Sequence, residues 1–248
     1  MIAPPGWIIL PISLVIGSFL GVVINRLPVG KTLVISRSRC ESCGHALSAR
    51  ELIPLLSFVF QRGRCFHCTA WIGWFHPAIE LASLLVALMV FWVMPEGWGI
   101  WVYAALGWAL LAAAWIDARH YWLPDVITLP LLLAGLVVTW LNAPWAIYDH
   151  ALAVGIGYAA FRLLDLLYLR LRGRHGLGQG DAKLLAAAGA WVGLSALPGI
   201  LLMAGLLGIA VALPVALWRG QGRQTMIPFG PALAVGFFGA VLLANLSH

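Results

Sequence analysis

Two aspartates, Asp117 and Asp181, carry the first suggestion of chemistry in this sequence. Each stands where a long apolar run meets polar residues, and the order of the runs puts both on one side of a membrane. Two carboxyls that face each other share one proton, because like charges at short range resist joint ionisation, and such a pair can activate a water. That is aspartic-peptidase chemistry. Asp181 closes Gly178-Gln179-Gly180-Asp181, a G-x-G-D pattern, with Lys183 just beyond it. Gly176, Gly178 and Gly180 let the backbone approach another chain closely, as a site for an extended peptide needs. Asp181 would also cap free N–H groups at a helix start. That explanation is weaker for Asp117, because a helix C-terminus repels an anion; Asp117 could instead pair with Arg119 or another neighbour.

A second cluster is Cys40-Glu41-Ser42-Cys43 with Cys65-Phe66-His67-Cys68, which hold all four cysteines of the chain. Paired C-x-x-C turns aim four thiolates at one ion and predict a closed, structural Zn²⁺ site of the zinc-ribbon kind. Gly44 and Arg62-Gly63-Arg64 suit the tight turns involved. Two disulfides are the alternative, disfavoured if this loop faces a reducing cytoplasm. With four cysteines available, His45 and His67 are read as bystanders.

The elements that must position these residues are membrane spans. Of the 248 residues 62% are apolar and 10% charged, and mean hydropathy is +0.95. Soluble domains carry about 25% charged residues, so this composition excludes an ordinary soluble enzyme. Apolar runs predict eight spanning helices, at 7–24, 76–94, 100–116, 124–141, 150–169, 182–197, 199–218 and 227–246. The fold class is therefore all-α and polytopic, with about eight transmembrane helices and a small cytoplasmic zinc-ribbon-like insert between the first two. No cleavage site follows the first span, so it is read as a retained helix.

Arg26, Lys31, Arg37, Arg39, Arg50, Arg62 and Arg64 lie in that insert. Arg119, Arg170, Arg172, Arg174, Lys183, Arg219 and Arg223 lie in or beside other connections on the same side, whereas the opposite loops hold only Glu96 and Asp149. The positive-inside rule then places the insert and both aspartates at the cytoplasmic face, with both termini outside. The net charge of +6 reflects this asymmetry and calls for no nucleic acid. Among the other acids, Asp125 after Pro124 reads as a helix cap. Arg162 and Asp165 read as a pair within one helix. Glu80, about one turn inside the second span, is either functional or a partner for nearby backbone or arginine. Lys183 could meet lipid phosphate, the aspartates or an acidic substrate residue.

Taken in order, the motifs resemble those of bacterial type IV prepilin peptidases, the leader peptidase/N-methyltransferases, over nearly the whole chain. They are Gly17-Ser18-Phe19-Leu20 with Arg26-Leu27-Pro28, Cys40-x-x-Cys43-Gly44-His45, Leu52-Ile53-Pro54-Leu55-Leu56-Ser57, Gly63-Arg64-Cys65-x-x-Cys68, Pro77-x-x-Glu80, Asp117 to Asp125 with Thr128-Leu129-Pro130, and Gly178-x-Gly180-Asp181-x-Lys183-Leu184. One departure is Gly21, where the family usually has Asn; Asn25 lies one turn further on.

The resemblance implies an enzyme of the bacterial inner membrane that cuts the basic leader from type IV prepilins or type II secretion pseudopilins. It would then methylate the new N-terminal residue using S-adenosylmethionine. It implies Asp117 and Asp181 as catalytic pair, Gly178, Gly180 and Lys183 in a loop beside the substrate, and Gly63 and Glu80 as methyltransferase-associated. The implied domains are the first helix (1–24), the four-cysteine domain (25–75) and the membrane-embedded peptidase (76–248). The competing readings are a G-x-G-D peptidase without methyltransferase activity and a small transporter capped by a zinc ribbon.

Overall fold

The computed structural model describes residues 5–31, 38–219 and 228–246. Arg37 and Arg223, counted above in the basic face, and residue 227 of the last expected span lie outside them. Among the described residues the chain is helical, with no strand beyond two isolated bridges, Arg39 with Ala46 and Arg64 with Trp71. The helices are α1 (Ile9–Arg26), α2 (Leu56–Phe60), α3 (Phe75–Val93), α4 (Trp98–His120), α5 (Asp125–Asn142), α6 (Ile147–Arg172), α7 (Gln179–Val192), α8 (Leu197–Arg219) and α9 (Gly230–Leu246). Apart from α2, a short helix in the insert, they follow the expected order of spans.

Five segments are long and apolar enough to cross a membrane: Gly6–Val29, Phe75–Val93, Trp98–His120, Asp125–Asn142 and Pro144–Arg172. Leu197–Val211 and Gly230–Leu246 are shorter apolar helices. The protein is a multi-pass membrane protein. It divides into two compact units, Met1–Trp108 and Ala109–His248, with the boundary inside α4.

In the first unit α1 packs along α3. Gly17 makes this possible, since a Cβ there would come within 2.7 Å of the Glu80 Cα and 2.9 Å of the Ser83 Cβ. Small residues at such a crossing let backbones approach where lipid supplies no hydrophobic drive. Polar links reinforce the contact: Ser83 Oγ donates to the Ser13 carbonyl at 2.6 Å, and Trp108 Nε1 donates to the Ser83 carbonyl at 3.1 Å.

In the second unit α7 is the central element, packed against α5, α6 and α9. The sixth expected span, 182–197, is corrected here. The helix starts earlier and stops at Val192, where Gly193 takes a φ of +74°. Fourteen residues rise about 21 Å, short of the ~30 Å of a hydrocarbon core. Lipid contact does not shape this helix, because nearly every residue from Asp181 to Ala190 is buried by its neighbours. Its alanines and glycines allow that enclosure. A Cβ on Gly189 would lie 2.7 Å from the Ala153 backbone, and one on Gly135 of α5 would lie 2.5 Å from the Trp191 ring. Asp149, at the start of α6, accepts the Leu194 N–H at 3.0 Å and so satisfies the turn that ends α7.

Candidate active site and cysteine cluster

Asp117 does not end its helix, as the sequence suggests, but stands in its last turn; α4 runs on to His120 and the Tyr121 N–H closes onto the Asp117 carbonyl at 2.8 Å. The unfavourable position is compensated from elsewhere in the chain. The N–H of Gly230, first residue of α9, donates to Asp117 Oδ2 at 2.9 Å, so the carboxyl caps the positive end of that helix. A Cβ on Gly230 would fall 2.6 Å from the same oxygen. The sequence analysis missed Gly230. A glycine two residues after Pro228 at a helix start was the available signal, and nothing local connects it to Asp117, 113 positions away.

Asp181 lies in the first turn of α7, where its Oδ2 accepts the Gly178 N–H at 3.3 Å. The two aspartates are 6% and 8% exposed. They belong to the same unit and are close enough for the charge of Asp117 to act on Asp181. Gly180 brings the start of α7 onto the 121–124 connection, since a Cβ there would sit 2.6 Å from the Leu123 Cβ. Lys183 donates to Asp125 Oδ1 at 2.6 Å and ties α7 to α5.

Asp165 is more than the helix partner of Arg162, whose guanidinium lies 3.7 Å away. It is buried, and its Oδ1 accepts the N–H groups of Gly176 and Leu177 at 3.0 and 3.2 Å. Its Oδ2 lies 2.8 Å from His175 Nδ1. One carboxylate thus fixes the glycine loop that leads into Asp181. With the Gly178 N–H held by Asp181, the amides of 176–178 are all taken by carboxylates of the flanking helices. The close approaches its glycines permit are to Tyr168 at Gly176 and to Leu123 at Gly180.

In the insert the two C-x-x-C segments adopt matching turns. Cys40 N–H donates to the His45 carbonyl and Cys65 N–H to the Ala70 carbonyl, both at 2.9 Å. The fourth residue after each first cysteine has positive φ: Gly44 at +70° and Thr69 at +56°. The ligand atoms of Cys40, Cys43, Cys65 and Cys68 all lie within 4.8 Å of one another, and Cys40 Sγ is 3.8 Å from Cys68 Sγ. A tetrahedron with Zn–S bonds of about 2.3 Å has S···S edges of about 3.8 Å, so the donor set fits that ion, whereas a disulfide needs about 2.05 Å. The backbone N–H groups of Cys43 and Ser42 draw the Cys40 thiol down to about 6. Cys68 is pushed up to about 12, the pull of the Ala70 amide being outweighed by burial and by the side chains of Cys43, Cys65 and Cys40. A cation among the sulfurs would let all four ionise together.

His45 and His67 stack with ring centroids 3.5 Å apart, and with Glu51 they form a second group whose ligand atoms lie within 4.8 Å of one another. Gly63 has a φ of +71°, and a Cβ there would overlap the Trp71 ring and meet Phe58 at 3.0 Å. Glu80 is buried on α3 and its Oε2 accepts the N–H of Leu55, itself held at a φ of +56°. Of the two functions considered for Glu80, a bond to nearby backbone is present. At the departure from the resembled pattern, Gly21 faces His76, whose Nδ1 would be 3.0 Å from an added Cβ.

Residues 12–94 match the bacterial Peptidase A24 N-terminal domain, and residues 104–213 match the type IV leader peptidase family. The chain is 37% identical to a prepilin leader peptidase/N-methyltransferase of Aeromonas hydrophila, over 93% of its own length and 88% of that protein's. It is 40% identical to a protein so named from Burkholderia pseudomallei (strain 1026b), covering 92% and 84% of the two chains. It is 37% identical to the type 4 prepilin-like proteins leader peptide-processing enzyme of Escherichia coli O78:H11, covering 94% and 92%. No solved structure matches the chain with significance.

Proposed function

This chain belongs to the type IV leader peptidase family, and from that premise we propose that it is a prepilin leader peptidase and N-methyltransferase with Asp117 and Asp181 as its peptidase pair. The observation that carries the assignment is the placement of two buried carboxyls within mutual electrostatic reach, each fixed by a backbone N–H, at the ends of two different helices. One carboxylate takes a proton from a water held between the pair as the water oxygen adds to the scissile carbonyl carbon. The other, protonated, hydrogen-bonds the carbonyl oxygen. When the intermediate collapses the C–N bond breaks, and a carboxyl passes its proton to the departing amine.

The substrate's apolar helix lies in the bilayer and its basic leader in the cytoplasm. Membrane depth therefore aligns the scissile bond with the aspartates, which replaces part of the orientation entropy of a soluble encounter. This reading takes the basic loops, the insert and the aspartates as cytoplasmic, on the strength of the charge asymmetry. Lys183 and the glycine loop adjoin the substrate. Cys40, Cys43, Cys65 and Cys68 would hold one structural Zn²⁺ that organises the insert. S-adenosylmethionine is the methyl donor, and Gly63 and Glu80 serve the methylating part of the chain.

Asp117→Asn and Asp181→Asn each test the pair. Each should lower leader cleavage roughly a thousandfold or more, since residues that act as a unit fail together. Cleavage of a prepilin in detergent by either variant at near the wild-type rate overturns the assignment.

A further inference from the structure

Between residues 52 and 60 of the insert only Ser57 is polar. Nine residues are too few to cross a membrane. Their position beside α3 is nevertheless that of lipid-facing chain. Glu80, whose Oε2 accepts the Leu55 N–H at 2.8 Å, stands five residues beyond Phe75, where α3 and its apolar span begin. At 1.5 Å per residue that is about 7 Å along the helix axis, and helical side chains lean back toward the N-terminus. Leu55 is therefore level with the first two turns of the span. Phe58 of α2 lies against Trp74 and Trp71, with ring centroids 5.4 and 5.9 Å apart, so α2 runs beside the start of α3. We propose that residues 52–60 are an interfacial anchor, whose outer face is seated in the lipid boundary next to α3 with Arg62 and Arg64 at anionic headgroups.

The first support is the pattern of exposure. Leu56, Val59 and Phe60 follow helical i, i+3, i+4 spacing and are 56%, 68% and 82% exposed, while Phe58 turns inward to the tryptophans. Leu52, Ile53 and Trp74 are exposed as well. Five large apolar side chains exposed within nine residues suit water poorly. They suit a segment that lies in the membrane surface with Leu and Phe toward the acyl chains and tryptophan at the boundary.

The second support is charge, which selects lipid over an apolar helix of another chain. Arg50, Arg62 and Arg64 are exposed at the two ends of the segment. Guanidinium groups pair with phosphate through two parallel hydrogen bonds, and basic residues at a membrane surface gather anionic lipid. The basic leader of the substrate proposed above would be repelled by the same arginines.

The third support is the connection to the cysteine turns. Gly63 N–H donates to the Phe58 carbonyl at 2.8 Å, and the Gly63 carbonyl accepts the Ile72 N–H at 2.9 Å. The second C-x-x-C turn is thus tied directly to α2. A segment seated in lipid fixes the depth at which that turn is held.

The test uses the full-length protein in vesicles of phosphatidylethanolamine and phosphatidylglycerol. A nitroxide is carried by a non-natural residue at 59 or 60, which leaves the four cysteines untouched, and by one at the exposed Glu41 as a control. Labels at 59 and 60 should be relaxed more by oxygen, which enters the acyl region, and the label at 41 more by a water-soluble nickel chelate. A benzophenone residue in place of Phe60 should form lipid adducts on illumination, with phosphatidylglycerol enriched about fivefold over its share of the mixture. Arg62→Gln with Arg64→Gln should abolish that enrichment. Preferential relaxation by nickel at both 59 and 60 overturns the proposal, as do cross-links that join two copies of the chain, or the chain to an added prepilin, in place of lipid adducts. Wild-type adducts that merely follow the lipid composition overturn the headgroup contact. The test measures no activity, so its outcome is separate from that of the assigned function.

Discussion

Asp117 shows how a single residue depends on a distant partner. A carboxyl in the last turn of α4 faces the negative end of its own helix, and the Gly230 N–H at 2.9 Å turns that position to advantage. Gly230→Ala should therefore displace the Asp117 carboxyl rather than merely strain α9. An ångström of misplacement in a catalytic pair costs about a hundredfold, so cleavage should fall by that order while methylation of a pre-cleaved pilin is retained. Equal loss of both activities would mean general misfolding instead. Asp125, which meets Lys183 rather than the pair, should tolerate Asn with a smaller loss in the same cleavage assay.

At the scale of elements, the loop 175–178 and helix α7 form one device. The loop is anchored by Asp165, and the helix is seated by glycines that face backbone. Asp165→Ala leaves two loop amides without their acceptor and removes a buried charge from beside His175 and Arg162. The half-buried Arg162 and the exposed His175 regain water, so the cost lies in the two amides, about 1–3 kcal/mol for each one left without an acceptor. Hydrogen exchange should rise at 176–178 with α6 still protected, and cleavage should fall. Gly189→Val should cost about 1–3 kcal/mol or more by overpacking against Ala153, read as a lower thermal midpoint in detergent.

For the whole molecule, the two units carry separable chemistry in the reading proposed here. The aspartates and the N–H groups of Gly230 and Gly178 that fix them belong to Ala109–His248, and the four cysteines belong to Met1–Trp108. Purified protein should hold one zinc per chain by elemental analysis. Cys40→Ser with Cys43→Ser should release it, loosen the insert to protease, and reduce methylation more than cleavage. Zinc near zero, with thiols that react only after reduction, would favour disulfides and reverse the assigned topology.

The sequence by itself determined the membrane class, the order of the helices and the two C-x-x-C turns, and it singled out the two aspartates proposed as the pair. Those are written in local terms: hydropathy over a span, ligand spacing in a turn, a G-x-G-D signature. Its hydropathy set the sixth span at 182–197, and only the neighbouring helices reveal that α7 is shorter and enclosed. It read Asp165 as a partner for Arg162, because the loop that the carboxyl holds returns to it through tertiary folding. Gly230 beside Asp117 and Gly63 beneath Trp71 were likewise decided by the tertiary structure. Each is a contact between segments whose separation along the chain is set by packing, and hydropathy and short-range spacing carry no record of it.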